Sequence, residues 1–256
     1  MILVHKNKTV WDRQWSSLVA TEKDVFQATT LEVFGERAYS CFSEWFSRND
    51  KRILEAGSGT GRFCIALAKD LPNAMIYGID ISKNSVNLSK IGAKLHNLDN
   101  IEFIQGDIFK LPFPDDFFDV VFNEGVIEHF YNYKDTINEM IRVAKSSGKI
   151  IIAVPNWYCF PHTIYKKVVG NKYEYGYEKS FTHGELIRTA KECGLKNIEI
   201  KGFYPAHGIK RLAKYSRLFR VVGKYVDFVT TKLDPCTNGL FSNYFGFEII
   251  IKGIKK

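Results

Sequence analysis

Long apolar runs are missing from this sequence. Its four apolar first residues are followed at once by charge, which leaves no apolar middle for a signal peptide, and no later run reaches the roughly eighteen apolar residues of a membrane-spanning helix. Paired cysteines are missing too, because the five cysteines are odd in number and far apart. Their spacing fits neither a zinc site nor a disulfide scaffold, so we expect reduced, mostly buried thiols in a cytoplasmic protein.

Acidic residues are scarce in one part of the chain. The 256 residues carry a formal net charge of +8, and 45% of them are hydrophobic, which is enough to bury a core within one domain. Seven basic residues and one acid lie in the segment 205–232, which therefore holds six of the eight excess positive charges. Where the charge lies matters more than its total.

Periodic apolar patterns divide the chain into helices and strands. A helical pattern extends from about Glu22 to Phe46, and after it strands and helices alternate until Pro155 closes a fifth strand. Such alternation is typical of an α/β protein with a doubly wound, mostly parallel sheet. An irregular stretch, a helix and two more strands follow. We expect one domain over 1–256, made of an N-terminal helical cap, a cofactor-binding core, an aromatic segment and a basic helical insertion, at 1–50, 51–155, 156–181 and 205–243.

The stretch "ILEAGSGTGRF" places Gly57, Gly59 and Gly61 where the first strand turns into a helix. Ligands of doubly wound sheets bind in the crevice at this edge, and glycine permits strained turns and close approach of the backbone. A dinucleotide fingerprint has glycine at its first, third and sixth positions, but here the third glycine is fifth and Arg62 is sixth. A nicotinamide-dependent oxidoreductase is therefore a distant alternative, and a mere tight turn stays open.

Acidic residues follow the next two strands. Asp80 stands where its carboxylate can accept hydrogen bonds from both hydroxyls of a ribose, or can cap the helix that begins near Ser82. Asp107 stands where it can accept a hydrogen bond from an adenine amino group while the N–H of Ile108 meets a ring nitrogen. Alone, Asp107 would be an ordinary turn residue.

Together these residues resemble the class I S-adenosylmethionine-dependent methyltransferases, from about Arg52 to Val154. The similar motifs are "ILEAGSGTGRF", "IYGIDIS", "GDIFKLPFPDDFFDVVFNEGVIEHF" and "INEMIRVAKSSGKIIIAVPN". The motifs "LPFPDDFFD", "EHF" and "FTHGELIRTAKECGL" are most similar to those of the small-molecule branch that includes ubiquinone and menaquinone biosynthesis enzymes. The resemblance implies a Rossmann-like sheet of seven strands whose last strand, "GFEIIIKGI", is antiparallel.

The resemblance also implies S-adenosylmethionine as the cofactor and an in-line methyl transfer as the reaction. Because the cofactor carries a sulfonium charge, nearby carboxylates and carbonyl dipoles stabilise it. The implied contacts are Glu55 and the turn of Gly57, Ser58, Gly59 and Gly61 at the methionine part, Asp80 at the ribose, Ile81, Asp107 and Ile108 at the adenine, and the backbone carbonyl of Asn123 at the methionine amino group.

His129, in "GVIEHFYN", is the first candidate for acid–base or acceptor-positioning work, although a histidine here can also simply pack or orient a loop. His162 and His183 are secondary acid–base candidates. A related branch binds a metal through Glu-x-x-Glu-His, but Gly125 stands at the place of the first glutamate, and Glu124 is one place off. We therefore predict no metal site.

Aromatic residues in the segment 156–181 predict a cover over the acceptor site, as pocket wall for a planar, apolar or cationic acceptor, or as core behind the loop. We expect a small-molecule or lipid-like acceptor. A nucleic-acid or protein methyltransferase is the alternative, but "NEGV" stands where a clamp for a flipped base would be, so nucleic acid is disfavoured. The aromatic residues are Trp157, Tyr158, Phe160, Tyr165, Tyr173, Tyr175, Tyr177 and Phe181.

The insertion departs from the family pattern. Its apolar residues recur at three- and four-residue spacing with basic residues between them, which predicts one basic amphipathic helix, loosened at Gly223. Two interpretations stay open: a lid whose apolar face packs over the acceptor pocket, or an anchor on an anionic membrane surface through 205–232. The apolar residues are Leu212, Tyr215, Leu218, Phe219, Val222, Tyr225, Val226 and Val229.

Overall fold

The computed structural model of the chain describes residues 11–12, 21–170, 173, 175–213, 216–234 and 239–256, and a seven-stranded sheet forms its centre. The order of the strands is β3-β2-β1-β4-β5-β7-β6, in which β1 to β5 pair in parallel and β7 is antiparallel to both β5 and β6. The predicted Rossmann-like sheet with an antiparallel last strand is confirmed. The strands are β1 (Arg52–Ala56), β2 (Met75–Asp80), β3 (Ile101–Gln105), β4 (Phe118–Glu124), β5 (Ala144–Pro155), β6 (Lys196–Phe203) and β7 (Glu248–Ile254).

Helices cover both faces of the sheet. On one face α2, α3 and α4 bury Phe42, Phe63 and Val86, and on the other α5 and α7 bury Ile137 and Leu186. Two separate apolar layers on one sheet are what a doubly wound fold requires. The helices are α1 (Glu22–Ala28), α2 (Val33–Phe42), α3 (Arg62–Asp70), α4 (Lys83–Leu95), α5 (Tyr133–Val143), α6 (Phe160–Val169), α7 (His183–Glu192), α8 (Ala206–Leu212), α9 (Arg217–Leu233) and α10 (Leu240–Phe245).

The inner strand β5 shows why the strands have continuous apolar runs in their sequence. Ile150, Ile151 and Ile152 are successive residues that point to opposite faces, yet none is more than 1% exposed. A strand whose two faces are both covered by helices has no solvent-facing row of side chains, so its sequence does not alternate.

The N-terminal helical pattern is interrupted, contrary to the prediction of one helix over 22–46. Residues 29–32 separate α1 from α2. Within this break Thr29 is fully buried, and a Cβ at Gly92 of α4 would lie 2.4 Å from its methyl carbon. The close fit of Thr29 against α4 holds the chain in a turn where apolar spacing alone predicts a continuous helix.

The segment 156–181 also differs from its prediction, because it contains α6 where we expected irregular chain. Pro161 lies in the first turn of α6. Proline is tolerated there, since the first N–H groups of a helix have no partner within the helix.

Two helices, α8 and α9, form most of the insertion in place of the single helix predicted. Lys214 and Tyr215 of the predicted helix lie outside the described residues. Gly223 is buried where α8 crosses α9, and a Cβ at Gly223 would come within 3.1 Å of the Cγ of Lys210. The prediction that Gly223 loosens the helix was therefore wrong, because its missing side chain lets the two helices approach.

The inner face of α9 combines the ion pairs of Asp227 with Val226, which packs against the core, whereas its outer face exposes large apolar side chains. Asp227 forms ion pairs with Lys210 of α8 at 2.8 Å and with Arg37 of α2 at 2.9 Å. Among the described residues, most of the predicted apolar face is exposed and lines no part of the cavity, although Val226 packs against the core. The insertion reaches the cavity wall through His207 and Arg211 of α8 instead. More than 60% of the side-chain surface is exposed at Leu218, Val221, Tyr225 and Phe228.

Candidate active site

A cavity of about 620 Å³ opens at the carboxyl ends of β1, β2, β3 and β4. Its wall brings together eight of the ten predicted cofactor-binding residues, with His129 beside them. The other two, Gly61 and Asn123, lie behind it. The eight are Glu55, Gly57, Ser58, Gly59, Asp80, Ile81, Asp107 and Ile108.

The glycine turn is held by backbone hydrogen bonds to the neighbouring strand. The N–H groups of Gly57 and Ser58 donate to the carbonyl of Ile79 at 2.8 and 2.9 Å. Gly57 has φ of +88°, and a Cβ there would lie 2.6 Å from Val126 Cγ2. Side chains rarely adopt this conformation and none fits the space, so glycine is required.

Asp80 braces the same turn. One oxygen of its carboxyl accepts the N–H of Gly59 and the other accepts the N–H of Ser82, both at 2.9 Å. The cap of α4 is Ser82, whose hydroxyl accepts the N–H of Ser85. Burial raises the pKa of the Asp80 carboxyl above its usual value, although these two hydrogen bonds oppose the shift.

Asp107, Ile81 and Ile108 lie along the β2–β3 side of the cavity. The Asp107 carboxylate accepts the N–H of Phe109 at 2.9 Å, which fixes the turn after β3. Asn123 is different, because its side chain is buried behind β4 with its amide 3.3 Å from the sulfur of Met140.

Glu55 is a buried carboxyl at the end of β1. Cys64 of α3 donates its S–H to one of its oxygens at 2.9 Å. Burial, and next among the raising effects the charge of Glu124, raise the pKa of Glu55 to about 8. The group is therefore mostly neutral at pH 7 and becomes an anion when a cation binds beside it.

Further carboxyl groups line the other half of the cavity, at the ends of β4 and β7. Glu124 forms an ion pair with Arg62 at 3.2 Å. Glu128 and Glu248 are 2% and 4% exposed, and in each the Oε2 atom has no hydrogen-bond partner among the described residues. Burial, followed by the charges of neighbouring carboxylates, raises the pKa of both well above the usual value.

Sequence reasoning missed Glu248. The signal available was a lone acid between the apolar residues of "GFEIII", which a strand buried on both sides would not tolerate without a function. We named Glu124 and Glu128 only as unsuited metal ligands. In the described parts of the chain no group of three or more His, Cys, Asp or Glu residues could hold a metal ion, and the absence of a metal stays a prediction.

His129 lies in the cavity wall with its ring oriented by the backbone. Its Nδ1 atom is 2.7 Å from the carbonyl oxygen of Tyr177, which can only accept, so we assign the proton to Nδ1 and the lone pair to Nε2. Nε2 lies 3.9 Å from Glu128 Oε1. Burial lowers the pKa of the imidazole, which is therefore neutral at pH 7.

The two secondary histidines lie outside the cavity wall. His162 is fully buried, with Nε2 2.9 Å from Glu178 Oε1, and His183 contacts the carbonyl of Asn243 at 2.6 Å. The structure instead brings His207 of α8 into the wall. Burial, and then the charge of Arg211, lower the pKa of His207 to about 3.

The aromatic segment divides between wall, core and surface. Of its eight aromatic residues, only Tyr175 lines the cavity in the described part of the chain; Tyr165, Tyr173 and Phe181 are buried, Tyr177 is half-buried, and three are exposed. Distant segments supply the other rings of the wall, because Trp11 contacts His129 edge-on at 5.2 Å and stacks on Tyr175 at 6.0 Å. The exposed three are Trp157, Tyr158 and Phe160.

Comparison with known families identifies the family of the chain. The methyltransferase domain family matches residues 47–200, which is more than half of the chain, and the chain belongs to that family. It is an S-adenosylmethionine-dependent methyltransferase, and S-adenosylmethionine is its cofactor.

Two individual relatives share 30% identity or less with this chain. The demethylmenaquinone methyltransferase of Geobacillus sp. (strain WCH70) is 28% identical over 173 residues, which are 60% of this chain and 74% of that protein. The methyltransferase YcgJ of Bacillus subtilis is 30% identical over 105 residues, 41% of each chain. The resemblance to menaquinone methyltransferases is thereby confirmed.

Solved structures share the fold at low identity. A methyltransferase from Thermotoga maritima has a TM-score of 0.58 at 18% identity, over 84% of this chain and 86% of that one. A phosphoethanolamine N-methyltransferase of Haemonchus contortus, solved with S-adenosyl-L-methionine, has a TM-score of 0.56 at 18% identity, over 84% of this chain and 50% of that one.

Proposed function

We propose that the chain transfers the methyl group of S-adenosylmethionine to a small-molecule or lipid-like acceptor. When bound, this cofactor supplies a methyl group on a sulfonium sulfur, which an acceptor atom displaces in line. The observation that carries the proposal is the shape of one cavity. The turn at Gly57, Asp80 and Asp107 occupy its β1–β3 half, and rings and carboxyls line a second half with room for an acceptor.

Within this proposal the β1–β3 half holds the cofactor. Gly57 and Gly59 leave backbone groups open to close approach, and Glu55 offers a carboxyl to a cation. Asp80 would bind the ribose, and Ile81, Asp107 and Ile108 would contact the adenine. Ser58 completes the turn. Gly61 acts behind it, since a Cβ there would meet the ring of Phe103 at 2.6 Å, and Asn123 takes part through its backbone alone.

Calorimetry on the purified chain tests the cofactor half. S-adenosylmethionine and its demethylated product S-adenosylhomocysteine should bind, whereas NADH should not. The transfer itself is measured with cofactor that carries a radiolabelled methyl group, offered to soluble and lipid acceptors in turn. Tight binding of NADH without binding of S-adenosylmethionine would contradict the proposal.

His129 is the proposed acid–base or positioning residue of the acceptor half. Its neutral imidazole keeps a lone pair on Nε2, on the side of Glu128, so it can take a proton from an acceptor. His129→Asn keeps a donor for the Tyr177 carbonyl but has no group at the place of Nε2. We expect roughly a hundredfold or greater loss of turnover with unchanged affinity for S-adenosylhomocysteine. Wild-type turnover in this variant would mean that His129 only packs in the cavity wall.

We also propose that the outer face of α9 contacts an anionic membrane surface. The exposed apolar side chains of α9 are flanked by exposed Arg217, Arg220 and Lys224. A basic amphipathic helix lies on lipid through both features, with about 1 kcal/mol for each basic residue near the surface. No helix among the described residues is long and apolar enough to cross a membrane.

Sedimentation with vesicles tests the membrane contact. The chain should sediment with phosphatidylserine vesicles at low salt and be released by high salt. Val221→Ser with Phe228→Ser should weaken sedimentation, whereas Ile91→Ser, which removes an exposed apolar side chain from α4, should not. Equal binding to neutral and anionic vesicles would contradict the contact.

A further inference from the structure

The β4–β7 half of the cavity brings four carboxyl groups together with Arg62 and Arg211; the four are those of Glu124, Glu128, Glu178 and Glu248. In the sheet order, β4, β5 and β7 follow β1 on the side away from β2 and β3, which is the side where we propose the acceptor binds. Glu128 comes just after β4, and Glu248 begins β7 at the same edge, because β7 runs antiparallel. Both line the cavity.

The neighbouring acids already have partners. Glu124 pairs with Arg62 at 3.2 Å, and Glu178 accepts hydrogen bonds from His162 at 2.9 Å and Tyr173 at 2.6 Å. Lys166 adds an ion pair to Glu178 at 3.1 Å. These contacts leave Glu128 and Glu248 as the carboxyls on this side without a hydrogen-bond donor for Oε2 within the described residues.

An orphaned carboxyl oxygen at such burial points to a missing donor. Buried polar groups are almost always hydrogen-bonded, and removing a carboxylate from water without a partner is costly. Both residues line one cavity, although each Oε2 atom is itself buried, and the charge of Glu128 acts on Glu248. A ligand that brings N–H donors and positive charge would satisfy both at once.

Aromatic rings surround the same space. Tyr175, Phe247 and Trp11 line the cavity together with the two carboxyls, and the guanidinium of Arg211 lies over the rings of Tyr175 and Phe247 at 5.3 and 5.8 Å. Ring faces attract cations, and this attraction strengthens where water is excluded. A hydroxyl or a quinone oxygen would gain nothing by charge from this wall, whereas an ammonium group would gain from the two carboxyls.

We infer that the methyl acceptor carries an ammonium group, which Glu128 and Glu248 hold between them. The inference rests on the proposed function, since it describes the acceptor of that same site. A free amine and the amino group of a lipid headgroup share this chemistry. Glu55 and the rest of the β1–β3 half would bind the sulfonium and amino groups of the cofactor.

Calorimetry on the full chain saturated with S-adenosylhomocysteine tests the inference. The probes are two matched pairs, phenethylammonium with 2-phenylethanol and n-butylammonium with 1-butanol, in which the members differ by one charged group. Each ammonium should bind at least about tenfold more tightly than its alcohol. Glu128→Gln and Glu248→Gln should each remove most of that preference, while the exposed Glu102→Gln should not.

Three results would overturn the inference. They are an equal affinity for the amine and the alcohol, an absence of saturable binding by either amine, and a pair of glutamine variants that lose affinity for S-adenosylhomocysteine but not for the amines. The third result would assign the two carboxyls to the cofactor. Glutamine keeps the size of a neutral carboxyl, so an unchanged melting temperature and unchanged S-adenosylhomocysteine affinity confirm that each variant is folded.

The two sources of the ammonium group are separated with vesicles. If the acceptor is a lipid, sedimentation with vesicles that contain phosphatidylethanolamine should fall in Glu128→Gln and Glu248→Gln. If it is a free amine, only the calorimetric preference should fall. Failure of both would overturn the inference, whereas failure of S-adenosylmethionine to bind at all would overturn the proposed function instead.

Discussion

On the β1–β3 side of the cavity, each functional group lies within a few residues of a strand end and is braced by backbone hydrogen bonds. On the β4–β7 side, the wall is assembled from Trp11, His129, Tyr175, His207 and Glu248, which are far apart in the chain. A turn that follows a strand can be recognised locally, whereas a wall built from five segments exists only after folding. The first side should therefore be sensitive to backbone changes, and the second to changes of charge.

The largest expected effect comes from Gly57→Val. The Cβ atom would clash with Val126 in a conformation that valine rarely adopts, so we expect calorimetry to detect no binding of S-adenosylhomocysteine. Gly184→Ala is the control, since a Cβ there meets nothing within 4 Å. Binding by a folded Gly57→Val protein would show that the cofactor does not approach this turn.

Asp80→Asn should weaken S-adenosylhomocysteine binding at least about tenfold, because hydrogen bonds to a charged group contribute roughly 1.5–3 kcal/mol. The asparagine keeps the size of the side chain but can accept through only one oxygen, so the brace on Gly59 or Ser82 is also weakened. Calorimetry measures the change, with the exposed Asp99→Asn as the control. Unchanged affinity would remove Asp80 from the cofactor side.

Glu55 should couple cofactor binding to pH. Its pKa of about 8 in the free protein means that a bound cation, which lowers this pKa, makes the carboxyl release a proton. Affinity for S-adenosylmethionine should therefore rise roughly tenfold from pH 6.5 to 8 and then level off. Calorimetry in two buffers of different ionisation enthalpy measures the proton.

The variant Glu55→Gln separates this carboxyl from its surroundings. Cys64, Arg62 and Glu124 act on Glu55, and all three stay in place in the variant. We expect the proton release to fall by the share that Glu55 contributes. The same release in variant and wild type would assign it to Glu128 or Glu248.

The smallest effect should come from Asp227→Asn in the insertion. Both ion pairs of Asp227 are partly exposed, so their loss should lower the free energy of unfolding by about 1 kcal/mol or less. A melting temperature reduced by a few degrees, together with faster amide exchange in α9, would be the expected result. A large loss of cofactor affinity would mean that the insertion supports the β1–β3 side as well.

The same contrast explains which features the sequence predicts. The glycine turn, Asp80 and Asp107 depend on strand ends, which apolar runs reveal, and the resemblance to a known family supplied the antiparallel β7. Glu248 could not be assigned, because its role depends on β7 lying beside β5. Gly223 was misread as a weak point because a contact between two helices leaves no periodic signal, and apolar spacing in α9 could not decide whether its apolar face is buried or exposed.

The position of β7 has a consequence for synthesis on the ribosome. β7 lies between β5 and β6, yet it follows β6 in the chain by roughly 45 residues, which take a few seconds to translate. During that interval β5 presents an open edge of apolar backbone, the kind of surface on which nascent chains associate. The basic insertion emerges within the same interval. Its positive charges repel other copies of the chain before β7 has been synthesised and has covered the edge of β5.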